Sequence, residues 1–150
     1  MIKNERQYRI TRAQAAKFEE ALQILSDGKP NSGQETRLHP ALQKAQQDAL
    51  SSQLQDLRQE IGEYEALRSG SQPLVASGSF GELPRFLIQA RIASGMTQRD
   101  LAESLGVKEQ QIQRYEATDY ASANLERMRA VIRALGVSVR EEVTLYKPRG

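Results

Sequence analysis

The sequence predicts an all-α protein: an N-terminal helical hairpin with one long helix, then a C-terminal domain of four to five short helices. Three observations carry this. Apolar residues recur at helical spacing in two N-terminal segments. The stretch Met96–Glu116, MTQRDLAESLGVKEQQIQRYE, combines a helix cap, a turn glycine and two short apolar faces. Between them Ser69–Gly81 holds three glycines, four serines and a proline, the composition of a linker. The expected boundaries are therefore 1–69, a linker at 70–81, and 82–150.

The first segment, Thr11–Leu25, starts with a candidate capping box of Thr11 and Gln14 and repeats apolar groups at Phe18, Ala21, Leu22 and Leu25. Residues 26–38 form a loop by composition, with two glycines and a proline. Pro40 suits the first turn of a long helix running to about Arg68. Within it Leu50, Leu54, Leu57, Ile61 and Tyr64 alternate spacings of four and three, extended upstream by Leu42, Ala45 and Ala49. This short heptad seam reads first as self-association, which makes 1–69 a dimerisation region, and second as a docking face for another protein.

Past the linker a helix is expected over about Glu82–Ser94. Thr97 then caps the next, with Asp100 three residues on as in a capping box and Met96 and Leu101 as the hydrophobic staple. Leu101, Ala102 and Leu105 make its inner face. Gly106 falls where the turn needs positive φ. Val107, Ile112 and Tyr115 return apolar groups to the same core, and a further helix runs from about Asn124 to Leu135 before Gly136. Over 138–146 Ser138 and Glu141 fit a helix start, yet Val139, Val143 and Leu145 alternate. A short strand paired with a symmetry mate is favoured there.

Two short helices joined in this way form a helix-turn-helix, a unit that offers its second helix to the DNA major groove. Outward from that helix stand Glu109, Gln110, Gln113 and Arg114, with Gln111 at the margin. Gln pairs bidentately with adenine, Arg with guanine, and Glu accepts from cytosine, so this face is suited to base readout. Gln98, Arg99 and Lys108 are placed for phosphate. Tyr115 reads as core and Tyr120 as surface. Arg127, Arg129 and Arg133 read as a solvated face, with Arg127 the one candidate for backbone contact.

At these residues the chain resembles the Xre (phage-repressor-like) helix-turn-helix family. The shared pattern is Thr97-Gln98, Leu101-Ala102, Leu105-Gly106-Val107, Ile112 and Glu116, continuing to Ala134–Val137. It covers about Leu83–Val137, a little over a third of the chain. The resemblance implies a phosphate contact from Gln98 and base contacts from Glu109, Gln110 and Arg114. Lys108 stands where the family often has a capping Ser or Thr, and Glu116-Ala-Thr-Asp-Tyr replaces its usual Glu-Asn-Gly. The resemblance implies a dimeric transcriptional regulator on a pseudo-palindromic operator. Its size and added N-terminal region look like an autorepressing HigA-type antitoxin that restrains a toxin partner. A phage or prophage repressor is the alternative within the family, and a bridging-factor-like module that reads no bases is the alternative outside it.

Composition limits the other classes. Cysteine is absent, so disulfides and thiol catalysis are excluded. No apolar run approaches a membrane span and the N-terminus MIKNERQYRI does not read as a signal peptide, so a cytoplasmic protein is expected. His39 is the sole histidine and has no second His or Cys with which to hold a metal. The carboxylates at Glu19, Glu20, Glu60, Glu63 and Glu65 sit on helices without a nucleophile, so no enzyme and no cofactor is expected. Net charge is only +2. Residues 1–81 are balanced and 82–150 hold eleven Lys/Arg against nine Asp/Glu, implying a focused basic surface rather than a polybasic chain.

Overall fold

A computed structural model describes residues 1–27, 39–70 and 74–147. Among them are six α-helices and one 3₁₀ turn, with no strand: α1 Glu5–Ser26, α2 Pro40–Ser69, the turn Phe80–Glu82, α3 Leu83–Ala93, α4 Gln98–Leu105, α5 Glu109–Ala117 and α6 Leu125–Leu135. Packing divides the chain into two compact units, Met1–Leu74 with Ile92–Gly95, and Val75–Arg91 with Met96–Gly150.

In the first unit α1 packs along α2. It starts two turns before the expected Thr11, because Asn4 caps it: the Asn4 Oδ1 accepts from the Gln7 N–H at 2.9 Å. Thr11 lies inside the helix and bonds back to the Gln7 carbonyl at 2.9 Å, a mid-helix habit of threonine that sequence alone does not separate from a cap. His39 caps α2, its Nδ1 accepting from the Ala41 N–H at 3.2 Å. Of the heptad seam, Leu54 and Tyr64 are buried, while Leu50, Leu57 and Ile61 are half-buried. Tyr64 stacks on Tyr8 with ring centroids 5.1 Å apart, and the Tyr8 hydroxyl donates to Glu65. Arg58–Glu19 at 2.7 Å and Arg68–Glu5 at 2.8 Å join the two helices at their exposed edges. The loop read at 26–38 lies mostly outside the described residues.

The second unit is built around Leu87, Ile88, Leu101, Ile112 and Val131, all with essentially no exposure. α4 and α6 each begin on a side-chain cap, from Thr97 and Asn124, and each ends on a glycine, Gly106 and Gly136, at φ 66. Residues 137–147 carry no regular structure. The strand favoured over 138–146 is not formed, since a single chain offers it no neighbouring strand with which to share backbone hydrogen bonds. Val143, Leu145 and Tyr146 are left largely exposed.

At Gly106 a Cβ would meet no atom within 4 Å, so only its left-handed backbone resists substitution. Gly106→Ala is therefore expected to lower the stability of the second unit by about 1–2 kcal/mol in denaturant melts without altering its helicity.

Candidate nucleic-acid interface

The outward face of α5 is set by what holds its inward face. Ile112 and Glu116, one turn apart, are both fully buried. A carboxylate without exposure requires partners, and Glu116 has them. Its Oε1 accepts from Arg91 Nε at 2.6 Å, and its Oε2 accepts from Arg91 Nη2 at 2.8 Å and Gln98 Nε2 at 2.7 Å. Arg91 also donates through Nη1 to the Met96 carbonyl at 2.8 Å. The cluster ties α3, the start of α4 and the end of α5 together around one ion pair.

The turn between α4 and α5 is equally determined. Thr97 Oγ1 accepts from the Asp100 N–H at 3.0 Å while Asp100 Oδ2 accepts from the Thr97 N–H at 2.8 Å, the reciprocal capping box expected from the sequence. After α4 the N–H groups of Gly106 and Val107 close back onto the carbonyls of Glu103 and Ala102. Lys108 opens α5 in an extended conformation without a side-chain cap. Its ammonium is exposed and unpaired among the described residues.

The expected contact residues then sort by environment. Glu109, Gln110, Gln111, Gln113 and Arg114 are all exposed on α5. Three of them bond within the helix: Gln113 donates to Glu109 at 3.2 Å, and Gln111 to the Tyr115 hydroxyl at 2.7 Å. Gln110 and Arg114, one turn apart on the same edge, have no side-chain partner among the described residues. Arg99 is exposed and makes a loose pair with Glu103 at 3.4 Å. Gln98 differs from expectation. Its side chain is 6% exposed and its amide nitrogen is committed to Glu116 rather than turned to solvent.

The two tyrosines exchange the places given them by the sequence. Tyr120 is 2% exposed, whereas Tyr115 is only half-buried and stacks on it at 6.0 Å. The chain leaves α5 through two left-handed residues, Asp119 at φ 47 and Tyr120 at φ 60. The Tyr120 N–H then reaches back to the Tyr115 carbonyl at 2.6 Å. This reversal replaces the Asn-Gly exit of the family pattern and swings the Tyr120 ring inward. Burial, and then the nearby Glu116 carboxylate, push its phenol above the ordinary range, while Arg91 opposes them.

Residues 87–141 match the family model described as Helix-turn-helix. This part of the chain is an Xre-like helix-turn-helix domain. No curated protein and no solved structure matches the chain. The helix-turn-helix domain is that of a DNA-binding regulator, with α4 and α5 as the two helices of the motif. What the sequence reading missed is the Arg91–Glu116 pair. Its signal was present: Arg91 follows Leu87 and Ile88 on one helical face, and Glu116 follows Ile112 by four, so opposite charges occupy two inward positions.

Two outcomes follow. Arg91→Ala or Glu116→Ala leaves a buried charge without its partner and is expected to lower stability by about 3–5 kcal/mol, whereas the double substitution Arg91→Met with Glu116→Leu costs far less than the sum. Chemical denaturation of the four proteins checks this. The Thr97 hydroxyl, then its N–H, hold the Asp100 carboxyl below its ordinary value of 3.8. Its contribution is therefore complete above that value and lost as pH falls through the depressed one. The stability difference between the natural protein and Asp100→Asn should be constant near neutrality and close only in acid below 3.8, as read by melts across pH.

Proposed function

We propose that the protein is a sequence-specific transcriptional repressor that binds the promoter of its own operon as a dimer on a pseudo-palindromic site. The observation that carries this is the pair Gln110 and Arg114: both exposed, on one edge of the recognition helix, and without side-chain partners among the described residues. Their amide and guanidinium groups match adenine and guanine edges in the major groove. Glu109 and Gln113, bonded only to each other, flank them as further readers, with Gln111 at the margin. Lys108 and Arg99, at the helix starts, take the phosphates.

A single recognition helix reads too few base pairs for useful discrimination, and two copies a helical turn apart supply the rest. The first unit supports such a dimer. It leaves an open apolar groove of about 480 Å³ between α1 and α2, lined by Ala21, Ile24, Leu25, Ala49 and Leu50, and Leu42 beside it is 49% exposed. Residues 1–69 then serve association, 70–81 link, and 82–150 bind DNA. An interaction region joined to a small repressor also suits an antitoxin whose first unit captures a cognate toxin while its second represses the shared operon. The work is that of a cytoplasmic regulator rather than an enzyme, and none of the described helices is long and apolar enough to cross a membrane.

Gel shifts on the DNA upstream of its gene test the reading. The natural protein should form a discrete complex that resists competitor DNA and holds two chains per duplex. Gln110→Ala with Arg114→Ala should weaken that complex by at least about thirty-fold, from roughly 1–3 kcal/mol per base contact, with much less effect on unrelated DNA. Diffuse binding, equal in the variant, would remove the base-reading assignment.

A further inference from the structure

The mechanism above leaves one strongly charged surface unused. Among residues 1–18 the chain has five Lys/Arg, at Lys3, Arg6, Arg9, Arg12 and Lys17, against one acid, Glu5. The helical packing sorts them. α1 turns Ala15 inward, with Tyr8, Phe18 and Leu22 half-buried beside it, so the row Arg6, Arg9, Ala13, Lys17 runs along its outer face. Arg6, Arg9 and Lys17 are all exposed and none has an ion pair or side-chain hydrogen bond among the described residues.

On the same face Glu20, exposed three residues after Lys17, is an unpaired acid among the described residues, while the acids nearer the start of α1 are occupied. Glu5 pairs with Arg68 and Glu19 with Arg58, while Glu60 meets the terminal amine at 3.4 Å. Glu65 accepts the Tyr8 hydroxyl, and Arg12 lies over the Tyr8 ring at 5.7 Å. Positive charge thus exceeds negative along one ridge about 16 Å long, at 1.5 Å per residue, most clearly at Arg6 and Arg9.

We propose that this ridge is a second DNA-contacting surface, one that binds the phosphate backbone without reading sequence. The inference rests on the DNA-binding reading of the second unit. Phosphates are the partner that the chemistry favours. Two of the three side chains are arginines, whose guanidinium grips a phosphate bidentately, and the residues between them include small Ala13 and Ala16, which let a backbone approach. A membrane surface is a poorer fit, since Ile10 is the one large apolar side chain exposed among these charges, too little apolar area to insert into a bilayer interface. Both units belong to one chain, so once α5 occupies its groove α1 stays tethered to the same duplex.

The test uses the full-length chain, with Arg6→Gln, Arg9→Gln and Lys17→Gln combined, beside the Gln110→Ala and Arg114→Ala pair. Fluorescence anisotropy on the upstream DNA and on an unrelated duplex of about 30 bp gives affinity against salt. The ridge variant should reduce the slope of log K against log salt by about 2–3 on both duplexes, and leave their affinity ratio unchanged. The Gln110/Arg114 variant should collapse that ratio instead. Slopes unchanged in the ridge variant would overturn the proposal, whether or not the two duplexes are discriminated. A lowered slope with no discrimination by the natural protein would uphold the ridge and overturn the base-reading assignment. All three substituted positions are exposed, so a melt matching the natural protein verifies the fold.

Discussion

The second unit depends on a carboxylate that has no access to water. Burial of Glu116 is tolerated because both of its oxygens are met by donors, from Arg91 on α3 and Gln98 at the start of α4. The net stability gained from such a pair is small, because removing two charges from water offsets most of their attraction. Its effect is geometric. Rotating α5 by one residue would carry Glu116 away from the guanidinium and strand both charges, so one rotation about the helix axis is selected over its neighbours. Since Gln110 and Arg114 stand on the same helix, their direction is fixed by the same requirement. An interior ion pair thus sets which side chains of α5 face outward.

That arrangement also orders the polar face of α5. Glu109 with Gln113, and Gln111 with Tyr115, satisfy one another within the helix, which holds their long side chains in fewer conformations. Gln110 and Arg114 are left with unspent donors between these bonded neighbours. Ordering a side chain before binding lowers the entropy lost at the interface. The internally bonded residues therefore serve as a frame around the two that remain open, and the turn at Gly106 and the Thr97–Asp100 box hold the start of the frame.

Features governed by neighbours in sequence were legible in it. The Thr97–Asp100 box, the positive φ at Gly106, the end of α6 before Gly136 and the apolar spacing of Leu101, Ala102 and Ile112 all reside within a few residues of chain, and the structure has them as read. What depended on distant partners was not. Gln98 resembles a phosphate ligand until Glu116, eighteen residues away, claims its amide. Tyr120 is buried rather than on the surface because it and Asp119 adopt left-handed backbone, a conformation costly for tyrosine. At the N-terminus, Asn4 and Thr11 are both chemically fit to cap, and the choice falls to Asn4 because burial of Ile2 and stacking of Tyr8 on Tyr64 hold the first turn against α2. The heptad seam gave the packing face of α2, but which of its leucines is covered depends on where α1 crosses.

The distribution of charge matters more than its sum. A net charge of +2 over 150 residues gives little attraction to DNA at a distance. At contact, within a Debye length of about 8 Å, only local charges count. Here many acids are bound internally, Glu116 to Arg91, Glu5 to Arg68 and Glu19 to Arg58. Each such pair removes one charge of either sign from the outer field, so pairing alone cannot create a basic surface. It does decide where the residue of positive charge is left. That residue falls on Lys108, Arg114 and the outer side of α1 at Arg6 and Arg9. A nearly neutral protein of this kind can hold DNA through a few directed contacts while remaining weakly attracted to polyanions in general, which is the balance that a regulator searching for one site requires.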